Sequence, residues 1–176
     1  KAVEIDSSKI RVIGQPKLDW LSLMMKHKPK LFNNDNPIFY YNPHWDIGLS
    51  SIEKWSKPLL EYFIINSQFN LVFAPHPLLK HFKNRNGYNL NFKAPNTANN
   101  ILIDLSSAAG LDGTYNTASD VYIGDVSSVV TEWIYNRPRP CVFLNSHHID
   151  WRTNPSYESW FCGNVITKIS DLSAAL

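Results

Sequence analysis

Ser127 and Ser128 stand where a β-rich run, Val121 to Gly124, gives way through Asp125 and Val126 to a helical pattern. The first N–H groups of a helix lack internal partners and carry partial positive charge, so hydroxyls at that point, behind a glycine, suit a phosphate. Glu132 follows four residues after Ser128, about one helical turn on and on the same face. A phosphate cradle with a carboxylate one turn deeper suggests a nucleotide, with the diphosphate on the helix end and the ribose hydroxyls on the acid. Plain N-capping, worth about 1 kcal/mol, accounts for the same serines. Pairing with Arg137 or Arg139 competes in the same way for Glu132.

His76 lies between Pro75 and Pro77 directly after an apolar run, so its backbone is stiff and its imidazole is fixed near a strand end. Such a ring could donate to a phosphate oxygen or protonate it as it leaves, and capping of a loop carbonyl is the structural alternative. His44, with Trp45 and Asp46, could stack a base or touch an acceptor, or simply anchor its loop. His147 and His148 are adjacent, and side chains of adjacent residues in extended chain point opposite ways, so with no further ligand at helical spacing no metal is expected. No Gly-x-Ser-x-Gly elbow, Walker Gly-x-x-x-x-Gly-Lys or Gly-x-Gly-x-x-Gly fingerprint is present. A Ser-His-Asp triad with a nucleophile elbow is thus not formed, and ATPase and NAD-dehydrogenase readings lose most of their support.

The elements that must position these groups alternate between short β-rich runs and helical patterns, the signature of a parallel sheet covered on both faces. Strands are expected at Ile10 to Ile13, Pro37 to Tyr41, Leu71 to Ala74, Ile101 to Asp104, Val121 to Gly124 and Cys141 to Leu144. Helices are expected at Leu18 to Lys28, Ser50 to Asn66, Leu78 to Asn84, near Tyr115, and at Ser127 to Asn136, with an exposed loop over Lys83 to Asn100. The fold class is therefore α/β, a Rossmann-like doubly wound parallel sheet of about six strands. Ligands of such sheets bind outside the carboxyl ends of the strands. The polar loops collect there: Asn42 to Asp46, Pro75 to Pro77, Asp104 to Ser107, Asp125 to Ser128 and Asn145 to His148. Trp133 and Tyr135 are read as packing on the sheet, and Trp151, Trp160 and Phe161 as core in preference to the wall of a base pocket.

A chain of 176 residues fits one domain, 1–176. Seventeen Lys and Arg against fifteen Asp and Glu leave +2, too little for a nucleic-acid partner. Apolar runs fall far short of the roughly 20 residues that span a bilayer. Lys17, Lys26, Lys28 and Lys30 keep open a weak peripheral attraction to an anionic membrane surface. Cys141 and Cys162 lack metal-ligand spacing and are expected to be free, buried thiols of a cytoplasmic protein. The chain begins at Lys1 and stops within a helical pattern, so a piece of a longer protein is expected.

Read in order, Ile13-Gly-Gln-Pro-Lys-Leu-Asp-Trp20, Ile38-Phe-Tyr-Tyr-Asn-Pro-His-Trp45, Phe73-Ala-Pro-His-Pro77, Ser119-Asp-Val-Tyr-Ile-Gly-Asp-Val-Ser-Ser128 and Arg137-Pro-Arg-Pro-Cys-Val-Phe143 resemble the carboxy-terminal half of the CDP-glycerol glycerophosphotransferase family. These enzymes make teichoic acid and related polymers. The resemblance implies one half of a GT-B fold, with the donor held by this domain and an amino-terminal domain supplying the general base. It implies His76 and Pro77, then Asp125, Ser127 and Ser128, as the phosphate-side elements; joined to His44, Gly124 and Glu132 from the residues themselves, they form the candidate site, with His76 catalytic and the others on the donor. No cofactor is tightly bound in this reading. The substrates are a nucleotide-diphosphate donor and a polymer or lipid-linked acceptor at the inner face of the cell membrane. The family's Thr-Asp-Tyr-Ser-Ser appears here as Gly124-Asp-Val-Ser-Ser128, and its Pro-Thr-Trp-Arg as Pro43-His-Trp-Asp46. CDP-glycerol, CDP-ribitol and a nucleotide-sugar thus all stay open as donors. A nucleotide-sugar 2-epimerase of GT-B-like fold and a non-catalytic nucleotide-binding module are the alternatives.

Overall fold

Runs of apolar residues buried on both faces form the central strands. In the computed structural model, which describes residues 6–79, 98–135 and 137–175, every position of β1 (Ile38–Asn42), β2 (Asn70–Phe73), β4 (Val121–Gly124) and β5 (Cys141–Leu144) is buried. The shorter β3 (Ile101–Ile103) and β6 (Asn164–Ile166) close the two edges. The order is β3-β2-β1-β4-β5-β6 and every neighbouring pair is parallel. This is the doubly wound layout expected, and its order reverses between β1 and β4. Asn42 aligns with Gly124 there, so the loops leaving the two strands start level and side by side.

Period-2 alternation divides the side chains between two cores. Phe39, Tyr41, Leu71, Phe73 and Ile123 pack against Ile52, Trp55, Leu59 and Phe63 of α2 (Ile52–Ile65). Tyr40, Val72, Tyr122 and Phe143 pack against Tyr115 of α3 (Thr114–Ala118), Val130 and Trp133 of α4 (Val129–Ile134), and Tyr157 and Trp160 of the 3-10 segment Pro155–Cys162. Burying each large apolar side chain contributes about 1.5–3 kcal/mol. α1 (Pro16–Met24) buries Leu18 and Leu21, and Leu21 occupies the space that a Cβ at Gly113, φ +94°, would need.

Arg139 locks the second core. Its buried guanidinium donates to the carbonyls of Trp133, Asn116 and Ser119 and to Asn116 Oδ1, and lies 3.5 Å from the Trp133 ring centroid. Burial lowers its pKa to about 10. These partners occupy the guanidinium, and Glu132 instead pairs with Lys17 of α1.

The strand expected at Ile10 to Ile13 does not form: the segment has no regular structure, and Val12 is 98% exposed. Its β-branched residues fit a strand, but it pairs with neither edge of the sheet, β3 or β6. The sixth strand is β6, too short and polar at its start to stand out. α1 ends at Met24, short of Lys28. Leu78 and Leu79 start a helical turn; the rest of the helix expected to Asn84, the loop from Lys83 through residue 97, and Asn136 lie outside the described residues. Cys141 is buried and Cys162 exposed, both free. Tyr135 and Phe161 are also exposed, correcting their assignment to the core, while Trp133, Trp151 and Trp160 are buried. Among the described residues no helix is long and apolar enough to cross a membrane. Two of the four lysines of the amino-terminal basic region are in ion pairs, Lys17 with Glu132 and Lys28 with Asp120.

Candidate functional site

Because all strands are parallel, the loops after β1, β2 and β4 emerge at one edge, where the strand order reverses. Asp125, 1% exposed, turns its carboxylate inward beneath them. Oδ1 accepts from the His44 N–H at 2.9 Å, and Oδ2 accepts from the Ser51 N–H at 2.6 Å and the Ser51 hydroxyl at 2.8 Å. With Ser51 Oγ donating to Asp125, the buried Tyr41 hydroxyl, 2.9 Å away, donates to Ser51. One carboxylate thus fixes the β1 loop and the start of α2 to the end of β4. Burial pushes it up to about 7, against the hydrogen bonds from Ser51 and His44 that favour its charge. Asn42 Nδ2 donates to the Ala74 carbonyl at 2.7 Å, and the His76 N–H donates to the Pro43 carbonyl at 3.1 Å, which tie the β2 loop to the same frame.

The two imidazoles share one arrangement. Nδ1 of His44 accepts from the Asp46 N–H at 3.0 Å, and Nδ1 of His76 accepts from the Leu78 N–H at 3.2 Å. A ring nitrogen that accepts an amide proton is unprotonated, so each neutral ring carries its proton on Nε2. Burial lowers the pKa of both, and the neighbouring His44 lowers that of His76 further. The site therefore holds two neighbouring neutral N–H donors.

His44, Ser127 and Ser128 line one open cleft of about 420 Å³, with Val126, Thr131 and residues 155, 156, 158 and 159. That volume is in the range of small-molecule sites, about 300–1,000 Å³. Ser127 Oγ accepts from the Val129 N–H at 3.2 Å, which is the capping role weighed from the sequence. The N–H groups of Val130 and Thr131 bond back to the carbonyls of Ser127 and Ser128. What remains for an anion is the exposed Ser128 hydroxyl and the amides of Ser127 and Ser128, which meet no acceptor among the described residues. α4 has six residues, so its dipole adds little.

Gly124 lies below the cleft, where the Tyr122 hydroxyl fills the place of a Cβ. His76 and half-buried Pro77 adjoin through the Pro43 contact without lining the cleft. Glu132 is also absent from the lining; its Oε1 is 2.7 Å from Lys17 Nζ and its side chain is 13% exposed. The carboxylate that does line the cleft is Glu158, in an aromatic 3-10 segment with no periodic signal to single it out. Asp104, expected in the same ring of loops, accepts from the Ser107 and Tyr115 hydroxyls and two nearby amides, closing its own turn. His147 Nε2 lies 3.2 Å from the Ser50 carbonyl. Among the described residues no group of three or more His, Cys, Asp or Glu could hold a metal ion.

No protein-family profile and no curated protein sequence matches this chain. Among solved structures it is similar to the wall teichoic acid polymerase TagF. One TagF structure, of a variant, superposes with a TM-score of 0.60 at 17% identity, covering 97% of this chain and 43% of that one. A second gives 0.55 at 18% identity, covering 97% and 42%. The chain thus spans less than half the length of the polymerase whose Rossmann-like α/β fold it shares.

Proposed function

We propose that the protein is a nucleotide-dependent transferase. It moves a glycerol-phosphate, ribitol-phosphate or sugar unit from a nucleotide-diphosphate donor to a surface polymer, and this domain is the donor-binding half of a GT-B enzyme. The observation that carries the reading is the placement of His44, Ser127 and Ser128 in one cleft where the strand order reverses, with His76 tied alongside. The polymerase fold of the structural neighbours supports it.

In this reading the diphosphate is held by the Ser128 hydroxyl, the Ser127 and Ser128 amides and the His44 Nε2–H. His76 meets the charge that builds on the leaving group. Catalysis rests on positioning and electrostatics without a covalent intermediate. The test is a titration with CDP-glycerol, CMP, UDP and UDP-sugars. Changing Ser127 and Ser128 together to Ala is expected to weaken binding about 10-fold while costing about 1 kcal/mol of stability. Lost stability with unchanged affinity would make the serines caps and favour the non-catalytic module. Product analysis separates the transferase from a 2-epimerase, which needs no polymer acceptor.

For the ribose two carboxylates compete, and position in the lining favours Glu158 over Glu132. Glu158→Gln is expected to reduce the preference for ribo- over 2′-deoxyribonucleotides by about 1–3 kcal/mol. Glu132→Gln should leave that ratio alone and lose the tie to α1, a partly exposed pair worth at most about 1 kcal/mol. The reverse outcome assigns the ribose to Glu132.

A further inference from the structure

A second depression lies at the carboxyl ends of β5 and β6, on the α2 side of the sheet, away from the cleft that His44 and the serines line. Its volume is about 150 Å³, and it is lined by Lys54, Lys168, His148 and Thr167, with Trp55 and Pro58 among its apolar walls. That is too small for a nucleotide and large enough for one tetrahedral anion. We propose that this cavity binds the phosphate group of a phosphate ester, independently of the donor cleft.

The charges carry the argument. No Asp or Glu lines the cavity. Lys54 and Lys168 take part in none of the ion pairs among the described residues. Lys54 Nζ donates to the Ser146 carbonyl at 2.6 Å, which holds the ammonium at the cavity with two of its three protons left to donate. Lys54 also lies in the first turn of α2, a 14-residue helix whose N-terminal end adds positive potential. His148 holds the left-handed backbone conformation, φ 53°, at a loop position beside both lysines. Cations brought together without a counter-charge repel, and a bound anion relieves this. Lysine ammonium groups are established point-charge partners of phosphate, and Thr167 supplies a hydroxyl donor. The Trp55 and Pro58 walls suit the carbon side of an ester.

The test titrates the protein with inorganic phosphate, methyl phosphate and dimethyl phosphate, followed by calorimetry and by amide shifts at Ser146 and Thr167. Saturable binding is expected, at least 5-fold weaker in Lys168→Gln and at least 10-fold weaker when Lys54→Gln is added. It should be unchanged when Ser127 and Ser128 are both Ala. Lys168 is exposed, its carbonyl bonds the Asp171 amide through the backbone, and its ammonium is in no ion pair among the described residues, so its variant keeps the fold even if loss of the Lys54 bond loosens the loop. Tighter binding of methyl phosphate than of inorganic phosphate identifies an ester site, and binding of dimethyl phosphate extends it to diesters. No saturable binding, wild-type affinity in Lys168→Gln, or loss that follows the serines instead of the lysines would overturn the proposal.

Discussion

Asp125→Ala is expected to lower stability by about 3 kcal/mol or more, since it strips the acceptor from two buried donors and one half-buried donor at about 1–3 kcal/mol each. For a chain of this size that corresponds to a fall of about 6–12 °C in melting temperature. The donors left unmet are the Ser51 amide and hydroxyl and the His44 amide, so the loss is local to the β1 loop and the start of α2. Nucleotide affinity should fall with it, because His44 loses its support. The pH dependence has a definite sign. Burial raises the folded-state pKa of Asp125 from 3.8 to about 7, so its contribution is fully present below about pH 4 and is lost as pH rises through 7. Asp104, whose pKa hydrogen bonds hold below 3.8 against partial burial, acts only at more acid pH and with the opposite slope. Asp125→Asn, which cannot ionise, should therefore flatten the stability profile between pH 4 and 7. Denaturant unfolding at several pH values checks this, and equal slopes in wild type and Asp125→Asn would refute the assignment.

That the sequence could place Asp125 beside the phosphate while the structure turns it inward shows what spacing conveys. Asp-x-Ser-Ser after a strand locates a turn at the sheet edge. The direction of the first side chain depends on what lies across from it, here the amides of Ser51 and His44, far away in the chain. The central strands were legible because continuous burial on both faces leaves unbroken apolar runs such as Ile38 to Tyr41 and Leu71 to Phe73. Ile10 to Ile13 is β-branched but broken by Arg11 and has no partner strand, and β6 has a partner without the composition, so the strand count agreed while one member differed. The cleft was half legible. Parallel order brings His44, Ser127 and Ser128 to one edge, but the opposite wall comes from 155–159, whose 3-10 backbone carries neither helical nor strand period. Glu132 shared a helical face with Ser128 on paper. A six-residue α4 and the reach of Lys17 from α1 decide where that face points.

His76→Ala in the full-length protein is expected to lower turnover about 100-fold or more, about 3 kcal/mol of transition-state stabilisation, with a smaller effect on donor affinity. Pro75 and Pro77 restrict the loop, and the His76 N–H bond to the Pro43 carbonyl is made by the backbone, so the variant should keep its shape. The protonation state refines the expectation. Nδ1 accepts from the Leu78 amide and burial disfavours the cation, so His76 acts as a neutral Nε2–H donor to the leaving phosphate. Its contribution should be flat from about pH 7 to 9, where the ring stays neutral and keeps its Nε2–H. A general acid would instead give an alkaline limb, with activity falling as pH rises through the imidazole pKa. Turnover against pH for wild type and His76→Ala separates the two: an alkaline limb present in wild type and absent from the variant makes His76 a proton donor. Wild-type turnover in a folded His76→Ala removes it from the mechanism and leaves His44, which lines the cleft, as the imidazole to test.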